Sequence, residues 1–217
     1  MKFIFVADPM CSWCYGFGKE LTALRESFPE IALDVVVGGL RAGDTHVMTD
    51  ADKQMRLAHW TRVENASGLP LNREALSART RFVYDTEPAC RAVVTARLLE
   101  PSVDQLAIFR AIQHGFYALG EDTTDGVSLA KIGARELVRQ GYTTTEGAFL
   151  DAWQSQESIN AARADFVQAR RWGISSFPTL LMSRDAEMFN ISPGYASVDA
   201  LRPRVQAIVG PRAAAAP

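Results

Sequence analysis

The stretch Val6-Ala7-Asp8-Pro9-Met10-Cys11-Ser12-Trp13-Cys14-Tyr15-Gly16 decides how the rest of the chain is read. Its two cysteines are three apart. They follow an apolar strand from Phe3 to Ala7 and open an amphipathic helix. At a helix start, unpaired backbone N–H groups and the helix dipole favour a thiolate. Cys11 is thus placed to act as a nucleophile at neutral pH. Cys14, one turn on, can attack a mixed disulfide and release what is bound. The competing reading is half of a zinc site, which requires two more Cys or His ligands at suitable spacing. Cys90, His46, His59 and His114 form no second cluster. A strand, a Cys-x-x-Cys pair and a helix in succession therefore point to redox chemistry and to no metal.

Working outward, Phe17, Leu21, Leu24 and Phe28 fall at helical spacing, and Pro29 closes that helix. Residues 31–37 form a β-branched run, a buried strand ending at Gly38-Gly39. Strand, helix and strand make a βαβ unit with parallel strands and a right-handed crossover. The Cys pair then lies at the carboxyl end of the first strand, where open α/β sheets place their sites.

Strand patterns almost vanish over residues 44–173. The spacing predicts a helix over 49–67 with Met55, Trp60 and Val63 inward, stopped by Gly68 and Pro70. Thr86-Glu87-Pro88 starts another, since proline is tolerated in a first turn, with Val93, Val94 and Leu98 as its buried face. Ser102 and Gln105 form a capping box for a helix bearing Leu106, Phe109, Ile112 and Phe116. Further helices are predicted over 129–140, 146–153 and 158–172, the last ending at Gly173. Strand signals return over 179–182 and 189–192. A closing helix carries Val198, Leu201, Val205 and Ile208 after Ser197. Pro203 requires it to bend or to begin near residue 202. Residues 211–217, rich in Ala, read as a flexible tail.

The full chain of 217 residues has 47% hydrophobic residues and a formal net charge of −2, an ordinary globular composition. No basic excess points to nucleic acid or to an anionic membrane. The first apolar run meets Asp8 and Pro9 after five residues, and no later run is long enough to span a bilayer. The expected location is cytoplasmic. Three cysteines do not make a disulfide scaffold, and in a reducing compartment a Cys-x-x-Cys pair reads as catalytic.

The order of βαβ unit, helical block, Phe177-Pro178-Thr179, strand and closing helix resembles the DsbA family of the thioredoxin fold. Cys11-Ser12-Trp13-Cys14-Tyr15-Gly16-Phe17 and Glu87-Pro88-Ala89-Cys90-Arg91 look like its cytoplasmic, FrnE-like branch of predicted protein-disulfide isomerases. The resemblance covers nearly the whole chain. It implies an α/β thioredoxin-like core over 1–43 and 174–210, with an all-helical domain inserted over 44–173. It also makes Cys11 the nucleophile, Cys14 the resolving cysteine and Pro178 a cis-proline facing the pair. The backbone at Phe177 would pair with an extended substrate segment.

The implied activity is that of a thiol–disulfide oxidoreductase or isomerase acting on protein or low-molecular-weight disulfides. It needs no metal or organic cofactor, with glutathione as a redox partner, and the protein would be a monomer or homodimer. The alternative is a glutathione-dependent transferase or isomerase of the kappa-class or hydroxychromene-carboxylate isomerase type. There a single Ser or Cys activates glutathione, and Cys14 would have no task.

Five positions stay open at this level. Many thioredoxin-fold proteins carry a buried acid six residues before the first cysteine, and here Phe5 stands there. Asp8 is either a turn-former before Pro9 or a proton relay. Trp13 is either a platform for apolar substrate or glutathione, or packing against the helical block. Cys90 is either a buried small hydrophobe or a third redox thiol. Arg79 and Arg81 either line an anion site or are simply solvated.

Overall fold

The computed structural model describes residues 1–210. Strand β1 (Lys2–Ala7) leads through the Cys-bearing turn into helix α1 (Ser12–Ser27) and strand β2 (Ala32–Val37). Helices α2 (Asp50–Ser67), α3 (Arg73–Ala78), α4 (Glu87–Leu99) and α5 (Gln105–His114) follow, α5 running into a π-helical turn over Gly115–Leu119. Helices α6 (Gly126–Arg139), α7 (Glu146–Gln154) and α8 (Gln156–Arg171) complete the helical stretch. The chain ends in β3 (Thr179–Arg184), β4 (Glu187–Ser192) and α9 (Val198–Val209). The expected α/β thioredoxin-like arrangement is present, with all seven helices α2–α8 lying between β2 and β3 in sequence. The tail expected over 211–217 lies outside the described residues.

The four strands are ordered β2-β1-β3-β4. β1 runs parallel to β2 as the βαβ reading requires, while β3 is antiparallel to both β1 and β4. Alternation along β1 sends Phe3, Phe5 and Ala7 to one face of the sheet and Ile4 and Val6 to the other. On the first face the Phe5 ring meets Phe17 of α1 at 5.7 Å and Phe109 of α5 at 5.3 Å. A single core thus joins the sheet to the inserted helices. On the second face Ile4 and Val6 pack with Leu181 and with Ala169 of α8.

The outer strand β2 is clasped by the insertion, which limits its exposure as a free edge. Asp165 of α8 accepts a hydrogen bond from the Val37 N–H at 3.0 Å and pairs with Arg97 at 2.8 Å. Arg97 in turn donates to the Val35 carbonyl at 3.0 Å.

Several local expectations need correction. Met55, expected inward on α2, is 67% exposed, whereas Trp60 and Val63 are buried. Helix α2 is capped by Thr49 and Asp52 and carries charged residues over most of its surface, so only a narrow stripe with Trp60, Val63 and Ser67 is buried. Leu98 of α4 is likewise exposed, whereas Val93 and Val94 are buried as expected. The cap of α5 is Asp104, whose carboxylate accepts the Leu106 and Ala107 N–H groups, and the helix starts at Gln105. Ser102 lies outside it. Helix α3, which the periodicity does not reveal, is one and a half turns capped by Asn72. α9 starts at Val198 and continues through Pro203. Arg79 is fastened internally: it donates to the Gly120 and Glu121 carbonyls and stacks on Phe82. That leaves it no open anion site.

Candidate active site

Strand pairing decides what meets the cysteines. Val6, near the end of β1, pairs with Thr179 at the start of β3. The chain leaving β1 and the chain entering β3 therefore emerge side by side at one end of the sheet. The first is the Asp8–Cys14 turn, and the second is the Phe177-Pro178 loop, whose peptide bond is cis as expected. Cys11 Sγ lies 3.6 Å from the Phe177 carbonyl oxygen, to which it donates.

Cys11 is the N-cap residue of α1, in extended conformation (φ −90°, ψ 117°), and no acidic residue occupies the helix's first turn. Cys11 thus stands at the positive end of the helix dipole, with no carboxylate in the first turn to oppose it, though its side chain makes no hydrogen bond to the helix N–H groups. Cys14, one turn inside, comes within 3.5 Å of Cys11, and both are free thiols. Cys11 is 8% exposed and Cys14 not at all. Burial pushes the Cys14 thiol well above its ordinary range, and the neighbouring Cys11 sulfur and the Asp8 charge push the same way.

Beneath the pair lies Asp8, completely buried. Its two oxygens accept the Met10 N–H at 2.8 Å and the Leu40 N–H at 2.7 Å. Cys90 Sγ donates to the same carboxylate at 3.5 Å. Asp8 thus forms the turn before Cys11, as one reading had it, and also ties that turn to the loop after β2 and to α4. Burial raises its pKa, opposed by the hydrogen bonds from Thr86, Met10, Leu40 and Cys90. Cys90 is buried, and burial, with the Asp8 charge adding to it, holds its thiol well above the ordinary range.

Trp13 is half-buried, packed against the main core and also facing the space beside Cys11. Its ring lies 5.6 Å from that of Tyr195, from the loop before α9, and it lines a cavity of about 490 Å³ that opens beside Cys11. Met55, Arg56, Tyr84 and Phe177 line the same cavity. Phe177 is seated on Gly38, where a Cβ would fall 2.0 Å from its ring. Glycine is required there for space.

Sequence reasoning missed the residues that frame the site from the insertion. Tyr84 donates to the Met10 carbonyl at 2.7 Å and lies 3.3 Å from the Tyr117 hydroxyl. The Arg56 guanidinium sits 3.7 Å over the Tyr84 ring. Tyr15, beside Cys14 in sequence, stacks on Tyr117 at 4.8 Å. The only sequence signal for this cluster was the aromatic run Phe82-Val83-Tyr84. Among the described residues no group of three or more His, Cys, Asp or Glu side chains could hold a metal ion. No helix among them is long and apolar enough to cross a membrane.

No protein-family model and no curated protein sequence matches the chain. Solved structures do. A candidate protein disulfide isomerase from Nitrosomonas europaea is 31% identical with a TM-score of 0.83, the alignment covering 96% of this chain and 98% of that one. The cytosolic disulfide reductase DsbM from Pseudomonas aeruginosa, solved also with GSH, is 22% identical at a TM-score of 0.76, covering 96% and 98%. A 2-hydroxychromene-2-carboxylate isomerase is more distant, 16% identical at 0.61, covering 96% and 95%. The arrangement of Cys-x-x-Cys turn, cis-Pro loop and inserted helices, together with the 31% identity over nearly the full length, places this chain in the DsbA-like family of thioredoxin-fold disulfide oxidoreductases.

Proposed function

We propose that the protein exchanges thiols and disulfides through Cys11 and Cys14, on protein or low-molecular-weight disulfides. The reading is carried by two free thiols within 3.5 Å, the more accessible at the helix start, against a backbone carbonyl of the Phe177-Pro178 loop. In the reducing direction the Cys11 thiolate attacks one sulfur of a substrate disulfide. A Cys11–substrate disulfide forms and the first substrate thiolate leaves. Cys14 then gives up its proton and attacks the Cys11 sulfur. The Cys11–Cys14 disulfide forms, and the second substrate thiolate is released. The proton lost by Cys14 is recovered by the departing thiolates, and the two electrons gained by the substrate come from the two cysteines.

The electrostatics fit this order. While Cys11 is free, its sulfur helps hold Cys14 protonated. Once Cys11 is bonded to substrate, that charge and hydrogen bond are gone, and Cys14 ionises more readily in the intermediate that requires it. An extended substrate would pair with the backbone at Phe177, while Trp13 and Met55 supply apolar surface beside the sulfur. Isomerase activity, a cytoplasmic location, glutathione as reductant and a monomeric or homodimeric state belong to the same proposal. The neighbouring DsbM, named as a cytosolic disulfide reductase, supports the location and the reducing direction. The glutathione-transferase alternative gives no role to Cys14 or to its place beside Cys11. Reduction of insulin or of 2-hydroxyethyl disulfide should be lost in both Cys11→Ser and Cys14→Ser. Full activity of Cys14→Ser with bound glutathione would instead support a transferase.

A further inference from the structure

We propose that Arg56 forms an anion subsite beside Cys11 that takes the carboxylate of a low-molecular-weight thiol or disulfide of the glutathione class. The inference rests on the thiol-exchange reading above and adds to it the side chain that would hold a carboxylate of such a small substrate.

Arg56 projects from α2 into the cavity that Cys11 and Trp13 line. Its guanidinium carbon lies over the Tyr84 ring, 3.7 Å from the centroid, and the Tyr84 hydroxyl donates to the Met10 carbonyl. The cation is thereby fixed relative to the residue preceding Cys11. A cation held over an aromatic ring keeps its N–H groups as donors, and a pair of them fits a carboxylate in a two-point contact. Its Nε is buried with no hydrogen-bond partner, and among the described residues the group forms no ion pair.

The other charged groups on these walls are already engaged. Asp52, one turn earlier on α2, accepts from the Thr49 N–H at 2.8 Å and the Thr49 hydroxyl at 2.7 Å, and meets His46 at 3.0 Å. Arg41 pairs with Asp44 at 3.0 Å. His59 adds a further nitrogen and no negative charge. A cation that forms no ion pair among the described residues, a nucleophilic sulfur and apolar walls at Trp13 and Met55 thus share one cavity. Its volume of about 490 Å³ suits a small ligand. Glutathione carries a carboxylate at each end of a short chain whose sulfur is in the middle, so a carboxylate can reach Arg56 while the sulfur meets Cys11.

The test uses S-methylglutathione, which cannot exchange, with calorimetric binding to the wild type and to Arg56→Met. The expected result is weakening by about tenfold or more, partly restored in Arg56→Lys. In turnover, the ratio of kcat/KM for glutathione disulfide to that for uncharged 2-hydroxyethyl disulfide should fall by the same factor in Arg56→Met, through KM. Against the wild type alone, the dimethyl ester of S-methylglutathione should bind about tenfold more weakly than the free acid, a result independent of any variant's folding. Equal affinity of acid and ester, or an unchanged ratio, overturns the subsite. Discrimination by Arg56→Met confined to a glutamate-containing peptide disulfide also overturns it, by assigning the carboxylate to a polypeptide. Activity persisting in Cys11→Ser would refute the exchange mechanism while leaving the S-methylglutathione affinities as they are, so the two failures are distinguishable.

Discussion

The sulfur of Cys11 lies 3.6 Å from the carbonyl oxygen of Phe177, although the two residues are 166 apart in sequence. The relationship is produced by the sheet. Antiparallel pairing of Val6 with Thr179 fixes the register, and the ring of Phe177 rests on the bare backbone of Gly38 at the end of β2. Three strands therefore meet where the chemistry is.

Gly38→Ala tests that seating. The added methyl would fall 2.0 Å from the Phe177 ring, a clash relieved by displacing that ring or the loop that carries it. Overpacking of this kind costs about 1–3 kcal/mol. Displacement of the loop by about 1 Å should slow turnover of 2-hydroxyethyl disulfide by up to about 100-fold. Denaturant unfolding and steady-state rates measure both. A variant with wild-type turnover would show that the position of Phe177 is not important to the reaction.

Tyr84→Phe removes the hydroxyl that the Met10 carbonyl and Tyr117 share inside the protein. Leaving these buried groups without their partner should destabilise the fold by about 1–3 kcal/mol. The shift appears in the urea midpoint at unchanged slope. A midpoint equal to the wild type would mean that the turn before Cys11 does not depend on this bond.

Alkaline pH should weaken the reduced protein. The thiols of Cys14 and Cys90 are both held well above their ordinary range by burial. Above about pH 8.5 the unfolded chain releases these protons while the folded one keeps them, so ionisation favours unfolding. Stability is unaffected by the two groups below that pH and falls as pH rises through it, by up to about 1.4 kcal/mol per pH unit per thiol. Cys90→Ala should therefore show a shallower decline between about pH 8.5 and 9.5, before tyrosines of the unfolded chain ionise near about pH 10. Identical slopes for variant and wild type would contradict the role of Cys90 burial.

How far the sequence could be read followed the range of the interactions involved. The βαβ unit, the helix openings at Thr49 and Thr86 and the place of the Cys pair rest on local periodicity and turn chemistry, and these were legible. The Phe177-Pro178 loop was legible only through its resemblance to a family, because nothing local says which strand β3 joins. Met55 misled because its hydrophobicity suits a core, yet here it lines a cavity beside Cys11. Asp104 displaced Ser102 as a cap because its carboxylate can accept two N–H groups at once. Asp8, Cys90, Tyr84 and Arg56 come from four separate segments and meet only through tertiary packing. Their partnership left no pattern of spacing.

The most direct test of the account is the covalent intermediate. Reduced Cys14→Ser, exposed to glutathione disulfide near neutral pH and analysed by intact-mass and peptide mass spectrometry, should accumulate one glutathionyl group on Cys11. Cys11→Ser, with its remaining thiols at Cys14 and Cys90 buried, should accumulate none under the same conditions. An adduct on Cys14 in Cys11→Ser, with Cys11 unmodified in Cys14→Ser, would reverse the assigned roles and contradict the mechanism.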